Sequence, residues 1–245
     1  MAVSSTRAAV PSVRSKLYRM LYDTKDFCSK QMLAEKCGIS MPTLYQNLNE
    51  LMNEGLVQYS GEERSTGGRR AQGLDIIPDA RLSAGIAVGD RQLRFILTDL
   101  RLKELAYRSI PFDFVSCIHT EQEALSAHAR LSEYLECFLD DFSVDREKLL
   151  GVGITIPGLI TQDHARIHVA PTLNISNVPL DLLTKNIPYP VYVENDATAS
   201  GHAECFVRGG TSNLAYYSLE YGIGGAVVIG GLPYTGDNAQ SGELG

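Results

Sequence analysis

Hydrophobic positions near the start of the chain recur with the period of short amphipathic helices. The two apolar stripes are Val13, Leu17, Met20 and Leu21 in one segment, and Leu44, Leu48, Leu51 and Met52 in a later one. They predict one helix over 12–22 and another that begins after Ser40. Between them, Ser29 is a suitable N-cap for a short helix over 30–37, which Gly38 would end in a left-handed turn.

The second and third of these predicted helices form a helix-turn-helix pattern, since a short turn containing glycine joins them. Ala34 is small where the helices would cross, and Ile39 would fill the turn. The outward positions of the third helix carry short hydroxyls and amides, which suit phosphate oxygens and base edges in a major groove. The candidate DNA-contacting residues are Ser40, Pro42, Thr43, Gln46 and Asn47. A helical hairpin with a solvated face is the alternative.

A two-stranded wing is predicted after the third helix, from alternation over 56–59 and a second apolar run over 74–77. Its tip, GEERSTGGRRAQG, carries Arg69 and Arg70 directly after two glycines. Arginine inserted in a narrow minor groove is a known device for reading DNA shape. A solvated hairpin is the alternative, and the neighbouring glutamates weaken the local positive field.

The rest of the chain has an α/β pattern. Strand-like runs lie at 84–88, 93–100, 105–112, 149–156, 191–193, 214–219 and 225–229, and helices are predicted over 121–142 and 197–207. This order predicts a mixed sheet with helices packed on it. Because 78–81 has the character of a connector, we place a domain boundary there, between a winged helix-turn-helix domain (1–81) and a second domain (82–245).

Composition and charge fit this division. Of the 245 residues, 44% are hydrophobic and 21% are charged, as in globular proteins. No apolar run approaches the ~18 residues that indicate a membrane span, and the start lacks a signal-peptide core, so we expect a cytoplasmic protein. The net charge of −7 divides into +2 for residues 1–81 and −9 for the rest, and such asymmetry is typical of a segment that faces nucleic acid.

The five scattered cysteines and five histidines have no ligand spacing, so neither a disulfide nor a metal site is predicted.

Two turns carry candidate chemistry. The Glu194-Asn195-Asp196 turn lies between a strand and a helix, at the usual ligand crevice of open α/β sheets. An Asp there can accept a proton from a hydroxyl or only hydrogen-bond it, but Asn or Asp at this spot also serves as a helix N-cap. Spacing leaves both interpretations open. The second turn, YGIGG at 221–225, has the glycines of a phosphate cradle, though hairpins favour glycine too.

Several stretches together resemble the ROK family (repressors, open reading frames and kinases), and within it the sugar-responsive transcriptional regulators. The matching stretches are CGISMPTLYQNLNELMNEGLV, STGGRRAQGLDI, GVGITIPGLI, VENDATASGHAE and YGIGGAVVIGGLPYTGDNAQSGELG. The resemblance implies a winged helix-turn-helix followed by an actin/hexokinase-like (ribonuclease H-like) domain of two lobes. It also implies sugar contacts at Asn195, Asp196 and Glu243. The family's Pro-Asn-Leu segment is Pro171-Thr172-Leu173 here, and whether Asn174 compensates stays open.

Departures from the family pattern bear on activity. The family's kinases carry an Asp-Gly-Gly-Thr-Lys-like turn, where this chain has Val88-Gly89-Asp90-Arg91-Gln92. Their second phosphate turn, Gly-Thr-Gly-Ile-Gly, begins here with Glu220 and Tyr221, which bring negative charge and bulk. We therefore expect a repressor of sugar metabolism genes that binds sugar and does not phosphorylate it. The alternatives are an ATP-dependent sugar kinase with an added DNA-binding arm, and a regulator that senses a partner protein.

The sequence ends at Gly245, where family members usually continue with a His that contacts sugar and zinc and with a Cys cluster. The resemblance therefore implies a truncated second lobe, no cofactor in this chain, and zinc ligands only beyond Gly245. The expected partners are operator DNA, a sugar or sugar-derivative effector and a second copy in a homo-oligomer, with no membrane.

Overall fold

The described residues form two compact units. The structure is a computed structural model that describes residues 12–24, 27–62, 72–89, 91–112, 121–209, 213–219, 222–236 and 240–243, with the backbone alone over 121–129. The first unit comprises 12–82 together with Thr98–Lys103, and the second comprises Ser83–Leu97 and the chain from Glu104 onward. A turn from beyond the predicted domain boundary at 78–81 therefore belongs to the first unit, which the sequence pattern does not predict.

The first unit begins with three helices. They are α1 (Val13–Asp23), α2 (Lys30–Cys37) and α3 (Met41–Asn53). Each has a serine N-cap, at Ser12, Ser29 and Ser40, whose hydroxyl accepts a backbone N–H from the first turn. Gly38 ends α2 with a φ of 64°, in the left-handed region that glycine adopts without strain. The predicted caps and the helix-ending glycine are confirmed.

A two-stranded antiparallel sheet completes this unit. Strand β1 (Val57–Glu62) pairs with β2 (Gln72–Ile76), with Val57 opposite Ile76 and an irregular register near Ser60. The fully buried side chains of the unit include Leu17, Leu21, Leu33, Leu44, Leu48, Leu51 and Ile76. Burial of each leucine stabilises the fold by about 1.5–3 kcal/mol. The tip between the strands, with Arg69 and Arg70, lies outside the described residues.

The second unit is built on a five-stranded sheet. Its strands are β3 (Leu82–Val88), β4 (Gln92–Asp99), β5 (Glu104–Pro111), β6 (Leu149–Ile156) and β10 (Val191–Asn195), in the order β10-β6-β3-β4-β5. Strand β10 runs parallel to β6, whereas short turns join β3 to β4 and β4 to β5, as antiparallel neighbours require. The mixed sheet is as predicted. Helix α4 (Glu121–Asp141) lies between β5 and β6 in the chain.

Shorter elements complete the second unit. They are β7 (Leu159–Ile160), β8 (Arg166–Ala170), β9 (Ile175–Pro179), α5 (Leu180–Thr184), α6 (Asp196–Val207), β11 (Asn213–Leu219), β12 (Ile223–Ile229) and β13 (Leu232–Pro233). Strands β7-β8-β9 form one antiparallel sheet and β11-β12-β13 another. Helix α6 packs closely on β12, because a Cβ on Gly201 would lie 2.7 Å from the Cβ of Ala226. Among the described helices, none has the length and apolarity to cross a membrane.

Candidate functional site

A cavity of about 80 Å³ lies in the second unit where β7, β10, α6 and β12 meet. Its lining comes from five stretches of the chain, at 159–164, 194–198, 224–227, 234–235 and 241–243. The three residues that the sequence nominates for sugar binding, Asn195, Asp196 and Glu243, all lie on this lining. The fold thus brings together residues that are almost 50 positions apart in the chain.

Asn195 is the N-cap of α6. Its Oδ1 accepts the backbone N–H of Thr198 at 2.9 Å, and its Nδ2 donates to the carbonyl of Gly158 at 3.0 Å. An amide side chain offers two donor hydrogens and two acceptor lone pairs, so one of each remains for a ligand. The structure therefore gives Asn195 the capping role that spacing alone left open. The residue also ties the start of α6 to the segment after β6.

Asp196 is the first residue of α6, beside the cap. Its Oδ1 accepts the N–H of Ala197 at 2.8 Å, and the residue is exposed on the cavity lining. The positive end of the helix dipole favours a carboxylate at this position. Because the cap is supplied by Asn195, the Asp196 carboxylate is not required to begin the helix and is placed to accept hydroxyl hydrogens.

Glu243 reaches the same cavity from the end of the described chain. Its backbone N–H donates to the carbonyl of Gln240 at 3.1 Å, which closes a turn. The preceding Gly242 approaches β12 so closely that a Cβ would lie 2.3 Å from the carbonyl oxygen of Gly225. Only glycine fits there, so this contact determines the position of the neighbouring Glu243 at the cavity.

Three further residues at the cavity or behind it were not among the predicted contacts. Glu194 lines the cavity and accepts two hydrogen bonds, from the Tyr192 hydroxyl at 3.1 Å and from the Asn195 N–H at 2.8 Å. Burial, followed by the nearby Glu194 carboxylate, raises the pKa of Tyr192 to about 12, so its hydroxyl remains protonated as a donor.

His164 is the third. It lines the cavity, its Nδ1 lies 3.3 Å from the carbonyl of Val193, and its ring lies 5.5 Å from that of Tyr192. A carbonyl can only accept, so this bond places a hydrogen on Nδ1 and leaves Nε2 as an acceptor when the ring is neutral. The spacing of His164 and His168 is one possible sequence signal, but His168 lies in β8 and is absent from this lining. In the part of the chain that the structure describes, no group of three or more His, Cys, Asp or Glu side chains suits a metal ion.

The segment that replaces the family's Pro-Asn-Leu lies apart from the cavity. Pro171–Leu173 forms a single 3₁₀ turn, and the hydroxyl of Thr172 donates to the carbonyl of Pro157 at 3.4 Å. Asn174 follows in a left-handed conformation, with a φ of 54°. Both described residues are absent from the cavity lining, so neither supplies the missing contact in this structure.

The turn at the place of the first kinase phosphate loop closes on itself. The backbone N–H of Gly89 donates to the carbonyl of Gln92 at 2.9 Å, so this amide is engaged within the hairpin. Asp90, Glu220 and Tyr221, which carry the other departures from the kinase pattern, lie outside the described residues.

The predicted DNA-contacting residues divide into two groups on α3. Three of them bond within the helix start, because the Ser40 and Thr43 hydroxyls lie 2.9 Å apart and the Asn47 amide donates to the Thr43 carbonyl at 2.8 Å. Pro42 and Gln46 are exposed. Of these two, Gln46 carries the polar side chain, and its amide is exposed to solvent.

The chain is similar to known proteins over most of its length. The model of the ROK family matches residues 83–245. The chain belongs to the ROK family. It is 30% identical over 220 residues to the xylose repressor of Bacillus subtilis (strain 168), covering 89% of this chain and 55% of the relative. The chain thus spans about half the length of the curated relatives it matches.

Two solved structures show the same fold. A crystal structure of a ROK family transcriptional regulator, described as a homologue of the E. coli MLC protein, superposes with a TM-score of 0.74 at 23% identity, over 95% of this chain and 58% of that one. A ROK family glucokinase from Streptomyces griseus, in complex with glucose and AMPPNP, superposes with a TM-score of 0.53 at 23% identity, over 67% and 49%. The chain has the α/β, actin/hexokinase-like fold of this family. That fold alone does not separate regulators from kinases.

Proposed function

We propose that this chain is a DNA-binding transcriptional repressor of sugar metabolism genes, with a winged helix-turn-helix up to residue 81 and a sensor domain of the ROK type from residue 82. The observation that carries the proposal is that the similarity to a repressor extends beyond the family domain. The family model begins at residue 83, but the match to the xylose repressor covers 89% of the chain and so extends well into the first unit. Three capped helices and a β-hairpin are what that unit contains.

In this proposal α3 enters the major groove. Gln46 is placed to read a base edge, and the bonded Ser40, Thr43 and Asn47 present their remaining hydrogen-bonding groups to phosphates. Arg69 and Arg70 at the wing tip would contact the minor groove.

In the sensor domain, Asp196 and Glu243 face one cavity from two sides and Asn195 supplies a third polar group. Glu194 and His164 add acceptors for sugar hydroxyls. A bound sugar would cover these acceptors, and the site would then discriminate against ligands that lack the matching hydroxyls, because a covered polar group without a partner costs about 1–3 kcal/mol. The sugar would then release DNA by binding more tightly to one of two states of the protein.

The test uses gel retardation with duplex DNA from the natural upstream region and a panel of pentoses and hexoses that includes xylose. We expect Asp196→Ala to retain DNA binding and lose release by sugar. We expect Thr43→Ala with Gln46→Ala to relax sequence preference, and Arg69→Ala with Arg70→Ala to weaken binding on all sequences. No retardation at low salt would contradict the DNA-binding proposal, and release that persists in Asp196→Ala would contradict the sugar site.

We also propose that the chain does not phosphorylate sugar. The engaged amide of Gly89 supports this, because a phosphate cradle needs free backbone N–H groups. A coupled assay with ATP and the same sugar panel should show no turnover above background. Turnover that disappears in Asp196→Ala would instead identify a kinase with an added DNA-binding arm. A protein that binds DNA but responds to no sugar in calorimetric titration would favour a sensor of a partner protein.

A further inference from the structure

Three side chains from separate elements of the first unit meet around one ammonium group. Lys30 is the first residue of α2, Tyr45 lies on α3 and Tyr59 lies on β1. The Lys30 Nζ lies 4.9 Å from the centre of each tyrosine ring and donates a hydrogen bond of 2.8 Å to the Tyr59 hydroxyl. Within the described chain this is the point where α2, the proposed recognition helix and the wing strand are joined by polar side chains.

This cluster is open to solvent. Tyr45 is 44% exposed and Tyr59 is 47% exposed, although both are large aromatic residues. Ring faces attract a cation by about 0.5–1 kcal/mol at exposed sites, so two rings hold the ammonium in place at little further cost in side-chain entropy. An ammonium held in this position at the surface can bind an anionic group of a partner.

The groups left over suit a phosphate. A lysine ammonium has three donor hydrogens, and one is used by Tyr59. The Tyr59 hydroxyl accepts from Lys30, so its own hydrogen can be donated, and among the described residues it has no other partner. The start of α2 adds backbone N–H groups that have no partner within the helix, and the positive end of its dipole. All these groups are donors.

We propose that Lys30 and the Tyr59 hydroxyl form a binding site for one backbone phosphate of duplex DNA, with Tyr45 and Tyr59 as the aromatic walls that position the ammonium. The inference rests on the proposed DNA-binding function and deepens it. The site lies beside the exposed start of α3, so a phosphate held there fixes the register of that helix in the groove. Phosphate contacts of this kind position a protein without reading sequence.

The salt dependence of binding distinguishes a bound phosphate from a structural role. Each phosphate neutralised by a lysine contributes about 0.9 to the slope of log affinity against log salt. Between about 50 and about 200 mM salt, wild-type protein should therefore lose about 3.5-fold more affinity than Lys30→Gln does. Tyr59→Phe, which keeps the ring and removes the hydroxyl, should weaken binding without changing the slope.

The matched control is Lys36→Gln, which removes the same charge from the last turn of the same helix. It should leave the slope within error of wild type on both operator and unrelated duplex. A slope for Lys30→Gln equal to that of Lys36→Gln would overturn the phosphate site while leaving the DNA-binding function intact. If wild-type protein retards no duplex, the proposed function itself fails, and the two outcomes are therefore distinguishable.

Discussion

At the scale of single residues, two neighbours in the Glu-Asn-Asp turn divide the roles that their sequence position permits. Asn195 uses its amide to cap α6 and to donate to Gly158, so half of its hydrogen-bonding capacity is structural. Asp196 stands beside it with an exposed carboxylate on the cavity lining. The capping interpretation of this turn is therefore confirmed for Asn195, and the ligand interpretation stays a proposal for Asp196.

This division predicts that substitutions at Asn195 and Asp196 change the free energy of unfolding by different amounts. Asn195→Ala should lower the free energy of unfolding by about 1–2 kcal/mol, because the cap and the bond to Gly158 are both lost. Asp196→Ala should change it by less than about 0.5 kcal/mol, as exposed positions usually do. Urea unfolding followed by circular dichroism measures both. The control is Asn195→Asp, which keeps a capping oxygen and should fall between wild type and Asn195→Ala; equal losses for Asn195→Ala and Asp196→Ala would contradict the assignment.

At the scale of elements, close glycine contacts hold the cavity in shape. Gly242 lies against the carbonyl of Gly225 on β12, and Gly158 lies against β8, where a Cβ would meet the carbonyl oxygen of Val169 at 2.7 Å. These contacts bring strands and turns closer than any side chain allows. The positions of Glu243 and of the Asn195 amide depend on them.

Gly242→Ala therefore tests whether the element contact sets the site. The added methyl must displace the turn from β12, so we expect the affinity for the responding sugar to fall at least tenfold, although no polar group is removed. Gly222→Ala is the matched control, because a Cβ at Gly222 meets nothing within 4 Å. Calorimetric titration of both variants decides: similar sugar affinities for the two would mean that the Gly242 contact does not position Glu243.

The elements also show what a sequence pattern can predict. Apolar stripes predict α1 and α3, and Ser29, Gly38 and Ser40 mark the two ends of α2 and the start of α3. The sequence pattern predicts no helix or strand between residues 157 and 190. The elements there, β7, β8, β9 and α5, are two to five residues long and too short to display a hydrophobic period. The same region hid His164, whose left-handed backbone, with a φ of 51°, turns it toward the cavity. The His164 N–H donates to the carbonyl of Thr161 at 2.8 Å, so a local turn places this side chain, and such a turn has no hydrophobic period to reveal it.

At the scale of the whole molecule, the first unit is assembled from two separate stretches of chain. The turn Thr98–Lys103 contributes Arg101, which pairs with the Asp75 carboxylate and donates to the Tyr22 carbonyl at 3.2 Å. The N–H of Leu100 also donates to the carbonyl of Pro78 at 2.9 Å. These bonds link the turn to α1, to β2 and to the segment that follows it.

Loss of this turn's ion pair should therefore loosen the first unit alone. Arg101→Ala removes about 1 kcal/mol from local opening, so amide hydrogen exchange in peptides covering 72–82 should rise about fivefold. Arg108→Ala is the control, since Arg108 pairs with Asp141 at 2.5 Å in the second unit. Its effect should be confined to β5 and α4. Equal protection of 72–82 in wild type and Arg101→Ala would refute the role assigned to the turn.

The embedded turn has a consequence for protein engineering, because the DNA-binding module cannot be transplanted as one contiguous stretch of gene. A chimera joined at residue 81 would inherit a foreign turn in place of Thr98–Lys103, and its Asp75 carboxylate would lose the Arg101 guanidinium that pairs with it. A designer who exchanges operator specificity must therefore graft both stretches, or retain the recipient's residue at position 75. Natural recombination between regulators of this architecture faces the same constraint, so α1, β2 and the distant turn are expected to be inherited together.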